Sequence, residues 1–178
     1  MLRMSFKTLN TNVAFRGRVL TVEEQEVLLP NGKIKTHVTV RHPGAVIIVP
    51  QTESGSIIFT KQYRHSIARE LLELPAGTLE QGELPEHCAK REIQEEVNFK
   101  AASWTELGIL HPAPGFCDEV QHCFLARELT PSSLPQDEDE FITPQELSPR
   151  EVDDAICSGL ITDAKTLAYL TLLSARKL

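Results

Sequence analysis

Long apolar runs, basic charge and paired cysteines are scarce in this 178-residue sequence, and each shortage closes off a class of protein. No stretch approaches the ~20 consecutive apolar residues of a membrane-spanning helix. Lysine and arginine number 18 against 25 acidic residues, a net charge of −7, which argues against a general nucleic-acid or membrane-surface binder, since both depend on basic patches. An anionic substrate would therefore need a local cationic aid. Cys88, Cys117, Cys123 and Cys157 have neither the density of a disulfide scaffold nor the spacing of a zinc site. Met1 to Asn10 lacks the apolar segment of a secretion signal, so the expectation is a reducing, cytoplasmic location. What is present, 41% hydrophobic and 24% charged residues, suits a soluble globular chain long enough to bury a core.

Strand-type runs fill the first third: Val13 to Val22, Glu26 to Leu29, Ile34 to Val40 and Ala45 to Val49, with Asn31-Gly32 as a hairpin turn. Further strands are expected at Ile57 to Tyr63, Trp104 to Leu110, Val120 to Ala126 and Glu140 to Thr143, a spacing that points to a mixed sheet. A helix is predicted from Pro85, tolerated in a first turn, to about Val97, with Asn98 as a left-handed cap. Ser148 and Glu151 have capping-box spacing for a second helix, and Asp163 to Ala175 forms a third.

The chemistry concentrates in Gly77-Thr78-Leu79-Glu80-Gln81-Gly82-Glu83 and, seven residues on, Arg91-Glu92-Ile93-Gln94-Glu95-Glu96-Val97-Asn98-Phe99. At helical spacing Ala89, Ile93 and Val97 share one apolar stripe, and Glu92 and Glu96 lie together beside it, at the edge of the core. Clustered glutamates are usually a solvated helix face. Here, however, like charges four apart cost about 0.2–0.5 kcal/mol, and Glu95 and Glu96 sit where the helix dipole disfavours anions. A bound cation removes both penalties, and hard oxygen donors suit Mg²⁺, with Mn²⁺ as substitute.

This segment resembles the Nudix box: Gly, five residues, Glu, seven residues, then Arg-Glu-apolar-any-Glu-Glu-any-Gly-apolar. Every demanded position is met except the final Gly, where Asn98 stands, and six fixed identities would coincide by chance in about one window in 10 million. The resemblance implies an α+β fold of the Nudix α/β/α sandwich type, with a mixed sheet and a strand-rich N-terminal arm. Residues 1–44 would form that arm, part of the same unit, and residues 45–178 the hydrolase domain. It implies metal-assisted pyrophosphate hydrolysis, with Glu92 and Glu96 as metal ligands, Glu95 as a further ligand or water-mediated contact, the main-chain carbonyl of Ala76 as another, and Glu83 ligating directly or through water. Arg91 pairs with Glu95 four residues on and, in the family, orients the box carboxylates. The general base in such enzymes often stands on a loop beyond the box. The acidic loop Asp137 to Glu140 offers Glu138 and Glu140, between which the sequence does not choose.

Two more stretches resemble the branch acting on ADP-ribose and other nucleoside diphosphate sugars: Gln62-Tyr63-Arg64 with Glu73-Leu74-Pro75-Ala76-Gly77, and Pro112 to Glu119, in which Pro114 follows Phe99 by fifteen residues. By that resemblance Arg64, Glu73, Gly115, Phe116 and Glu119 form the substrate set. Arg64 offers a guanidinium for phosphate, although an ion pair is its ordinary use, and Glu119 serves a ribose hydroxyl or a structural salt bridge. Members of this branch are commonly homodimers joined by N-terminal strands. The expected partner is thus a nucleotide sugar, with neither nucleic acid nor membrane involved. Two rival functions remain: a Nudix hydrolase of GDP-mannose, dinucleoside polyphosphates or nucleoside triphosphates, and a non-catalytic nucleotide sensor.

Overall fold

A computed structural model describes residues 5–136 and 140–177. It comprises two compact units, one built from the chain up to Pro43 with His111–Val120, the other from Gly44–Leu110 and the chain from Gln121 onward.

In the first unit, β1 (Lys7–Arg16), β2 (Thr21–Leu28) and β3 (Ile34–Arg41) form an antiparallel sheet in that order. The single strand expected from Val13 to Val22 is in fact two strands. Gly17 N–H donates to the Leu20 carbonyl at 2.9 Å, and the chain reverses so that Arg16 pairs with Thr21. Val19 and Leu20 stand in the turn itself, so apolar residues resume before the second strand begins and the segment reads as one strand interrupted only by Arg16-Gly17-Arg18. The hairpin at Asn31-Gly32 forms as expected, with Gly32 at φ 82°, a left-handed conformation that favours glycine. Val40 bridges Cys117 in parallel, and Arg41 pairs with Asp118 at 2.9 Å, tying the His111–Val120 segment to β3.

The second unit is organised around β4 (Ala45–Pro50), buried along its whole length. Such a strand reads as an unbroken apolar run because both faces are covered. It pairs antiparallel with β7 (Ala76–Thr78) and parallel with β9 (Gln121–Pro131), which pairs antiparallel with β8 (Phe99–Leu110), giving the mixed order β7-β4-β9-β8. A second antiparallel sheet has the order β10 (Ile142–Leu147), β5 (Ile57–Arg64), β6 (Arg69–Glu73). Alternation along β4 divides the core. Ile47 and Val49 join Phe59, Leu125 and Tyr169 in one cluster, beneath α2 (Pro149–Cys157) and α3 (Ala164–Arg176). Val46 and Ile48 face Ala89 and Ile93 of α1 (Pro85–Glu96) in the other. Each such aliphatic side chain contributes about 1.5–3 kcal/mol of burial.

Local signals position the helices. Pro85 opens α1, and Asn98 ends it at φ 62°, the left-handed stop expected of the residue next best to glycine. Ser148 and Glu151 form a capping box, and Asp163 caps α3 by accepting from Thr166 N–H at 2.9 Å. Strands β6 and β7, unforeseen in the sequence, are five and three residues long and flank Leu74-Pro75. They exist because β5 and β4 supply hydrogen-bond partners. Among the described residues no helix is long and apolar enough to cross a membrane.

Candidate active site

The last two turns of α1 lie against β7, and at that contact one residue must be glycine. A Cβ on Gly77 would stand 1.9 Å from Glu92 Oε1 and 2.0 Å from its Cδ, so the Glu92 carboxyl occupies the space that any other residue would fill. One helical turn on, Glu96 Oε2 accepts from Ala76 N–H at 3.0 Å. Two consecutive backbone positions of β7 thus seat the two carboxyls, which are nearly buried at 7% and 3% exposure. Periodicity put the pair at the edge of the core, and the structure buries it there.

Burial pushes the Glu92 carboxyl up to about 7, against the opposing pull of the Arg91 guanidinium, with Glu95 and Glu140 adding to the rise. Glu96 is raised well above the ordinary carboxylate range, first by burial and then by Glu92 and Glu140. Buried acids that resist ionisation side by side are a recognised mark of functional sites. Glu140 therefore stands within electrostatic reach of both buried carboxyls. Glu138, the other base candidate, lies outside the described residues.

Arg91 is the hub. It donates to both oxygens of Glu83, at 3.2 and 3.1 Å, to Glu92 Oε1 at 2.7 Å, and to Glu95 Oε2 at 2.8 Å. Although burial opposes it, these acidic partners hold its guanidinium firmly charged. Glu83 also accepts from Glu80 N–H at 3.1 Å, and these bonds keep its carboxyl below the usual range despite partial burial. Among the described residues no three His, Cys, Asp or Glu side chains form a preformed metal cage. The reason is visible in the bonding, because Arg91 and the Ala76 amide engage the oxygens that a cation would take. The donor set nevertheless fits a hard divalent ion: two buried carboxyls side by side with incomplete compensation, and more acidic oxygens one guanidinium away.

A second acidic centre adjoins the first. Glu73, at 1% exposure, is gripped in a fork by Arg64, with Nε to Oε1 at 2.8 Å and Nη2 to Oε2 at 2.7 Å. It also accepts from Lys165. Its carboxyl is held low by Arg64 and Lys165 although burial alone would raise it, and Arg64 in turn feels the charge of Glu96. Lys165, Asp163 and Thr166 had no signal in the sequence beyond Asp163 at a helix start, because their partner strand lies some ninety residues earlier. Gly115, Phe116 and Glu119 belong to the other compact unit, where Phe116 is exposed and its carbonyl accepts from Val40 N–H at 2.7 Å.

Known proteins resemble this chain in sequence and in fold. The family model described as NUDIX domain matches residues 40–165, more than half of the chain. An ADP-ribose pyrophosphatase of Bacillus subtilis (strain 168) is 39% identical over 174 residues, spanning 95% of this chain and 94% of that protein. A methanol dehydrogenase activator of Bacillus methanolicus is 37% identical over 176 residues, spanning 96% of this chain and 95% of its own length. A solved structure described as ADP compounds hydrolase superposes with a TM-score of 0.85 at 26% identity, covering 96% of this chain and 92% of that one.

Proposed function

Because the chain belongs to the NUDIX domain family, we propose that it hydrolyses the pyrophosphate bond of nucleoside diphosphate sugars, ADP-ribose foremost, giving AMP and ribose 5-phosphate. The observation that carries this reading is the pair of buried carboxyls, Glu92 and Glu96, seated on Gly77 and Ala76. Acids so placed are costly to the protein alone and become useful with a cation between them and a phosphate. Mg²⁺ is the ion assigned, with Mn²⁺ as substitute: when bound it would neutralise phosphate oxygens and lower the pKa of water. Glu92, Glu96, Glu95, Glu83 and the Ala76 carbonyl are its assigned donors.

The chain's own residues do the rest. Arg91 gathers Glu83, Glu92 and Glu95 on one guanidinium, which keeps three flexible acids within reach of one point. Glu140 is assigned as general base, because its charge acts on both buried carboxyls and an acid in that field can accept a proton from water. Arg64 is assigned to the substrate phosphates and Glu73 to its orientation. Gly115, Phe116 and Glu119 are assigned to substrate binding by the family resemblance. The homodimer is likewise proposed, supported by β1, a strand exposed at all ten positions that carries Leu9, Val13 and Phe15. A ten-residue edge strand with three exposed large apolar side chains favours pairing. The 37% identity to a methanol dehydrogenase activator keeps a role exercised through a partner protein as a second reading.

The deciding assay measures release of nucleoside monophosphate from ADP-ribose, ADP-glucose, GDP-mannose, a dinucleoside polyphosphate and nucleoside triphosphates, with Mg²⁺, with EDTA, and with Glu96→Gln. Metal-dependent cleavage of a diphosphate sugar that Glu96→Gln abolishes is the expected result. Preference for a triphosphate or dinucleotide would refute the substrate assignment, and no cleavage at all would refute the activity.

A further inference from the structure

Helix α3 reaches the site from a part of the chain that carries none of the box residues. Its cap, Asp163, accepts from the Thr166 amide at 2.9 Å and from the Thr166 hydroxyl at 2.7 Å, and that hydroxyl accepts from Leu74 N–H at 2.9 Å. The Lys165 ammonium spans Asp163 Oδ2, at 3.0 Å, and Glu73 Oε2. The first turn of α3 is thereby fastened to both Glu73 and Leu74, two residues before the backbone that holds Glu96.

Glu73 Oε2 is shared. It accepts from Arg64 Nη2 at 2.7 Å and from Lys165. The Lys165 side chain is only 13% exposed and that of Arg64 39%, so the inner cation is Lys165 and the accessible one is Arg64. Lys165 and Arg64 are balanced by Glu73 and Asp163, and Asp163 Oδ2 is held by Lys165 and by the Thr166 amide and hydroxyl, so the cation that reaches the open side of the group is the Arg64 guanidinium.

We propose that Lys165 is a positioning residue for pyrophosphate binding: it fixes Glu73 in the orientation that forks Arg64 and so holds the guanidinium in place for an anionic phosphate beside Glu96. The inference rests on the diphosphate-sugar reading above. It adds to that reading a residue outside the box whose action passes through two others.

The test is steady-state kinetics with ADP-ribose and Mg²⁺ for wild type, Lys165→Met, Lys165→Arg, Arg64→Ala and the Arg64→Ala/Lys165→Met double variant, with a thermal melt of each. Methionine keeps the aliphatic stem and removes the charge. Lys165→Met should raise KM roughly tenfold with kcat little changed, the signature of lost ground-state binding. Lys165→Arg should recover most of the loss. In the Arg64→Ala background, Lys165→Met should add less than about twofold, because residues acting through one another are not additive. An active wild type whose Lys165→Met variant keeps its KM, loses kcat and melting temperature alone, or loses affinity additively with Arg64→Ala overturns the inference and leaves the function standing. A wild type that cleaves nothing overturns both.

Discussion

Glu92 should make the metal-free protein less stable at the pH where the enzyme works, and replacing it should reveal by how much. Its carboxyl moves from the ordinary 4.5 to about 7 in the folded chain, so the native state holds a proton that the unfolded state has released. Stability from this group is complete below pH 4.5 and is lost as pH rises through 7. At ~1.4 kcal/mol per pH unit that interval amounts to about 3 kcal/mol, a large part of the ~5–15 kcal/mol typical of a domain. Glu96, raised by burial as well, acts in the same direction. Glu73 and Glu83, held below the usual range, lose their contribution only as pH falls below about 4.5, so the interval from pH 5 to 8 isolates the raised pair. Urea unfolding in EDTA across that interval should show a falling midpoint for wild type and a flatter profile for Glu92→Gln. The variant should be the more stable at pH 8 by up to about 3 kcal/mol, yet inactive. Mg²⁺ at a hundred times its dissociation constant should stabilise wild type by about 2.7 kcal/mol and the variant by much less. Equal stability of the two proteins at pH 8 in EDTA, or a difference that does not grow with pH, would refute the argument that this carboxyl is buried against its own charge.

Three other changes separate chemistry from packing. Gly77→Ala puts a methyl where the Glu92 carboxyl lies; activity should fall roughly 10–100-fold, as when the support of a metal ligand is disturbed, and Mg²⁺ titration monitored by calorimetry should weaken in parallel, with undiminished affinity counting against the assignment. Thr166→Val leaves the Leu74 N–H without its acceptor and should cost about 1–3 kcal/mol in urea unfolding; a neutral substitution would mean that α3 is not fastened there. Glu140→Gln should lower kcat by roughly 100-fold or more while leaving KM and the melting temperature near wild type, and full kcat in that variant would transfer the base role away from Glu140.

The distribution of what was legible follows the range of the interactions. Box residues, the helix that carries them, the caps at Asn98 and Ser148, the start of the third helix at Asp163 and the hairpin at Asn31-Gly32 all depend on partners within a few positions, so periodicity and capping chemistry disclose them. The 3.6-residue period put Glu92 and Glu96 together, and the same period put Arg91 four residues from Glu95, where the structure pairs them at 2.8 Å. The split between β1 and β2 escaped because Val19 and Leu20 lie in the turn and make the segment read as one strand. Strands β6 and β7 escaped because three or five residues carry no alternation of their own and extend only against a neighbour.

By itself, the sequence determined the family, the acidic helix and the reaction class, since these are written in residues that act at short range. Only the tertiary structure decided that a glycine fifteen residues upstream must make room for Glu92, how deeply both acids are buried, and that Lys165 reaches back across ninety-two positions to Glu73. Burial and long-range charge pairing depend on how the sheets and helices close around β4, and no window of sequence contains both partners of such a contact.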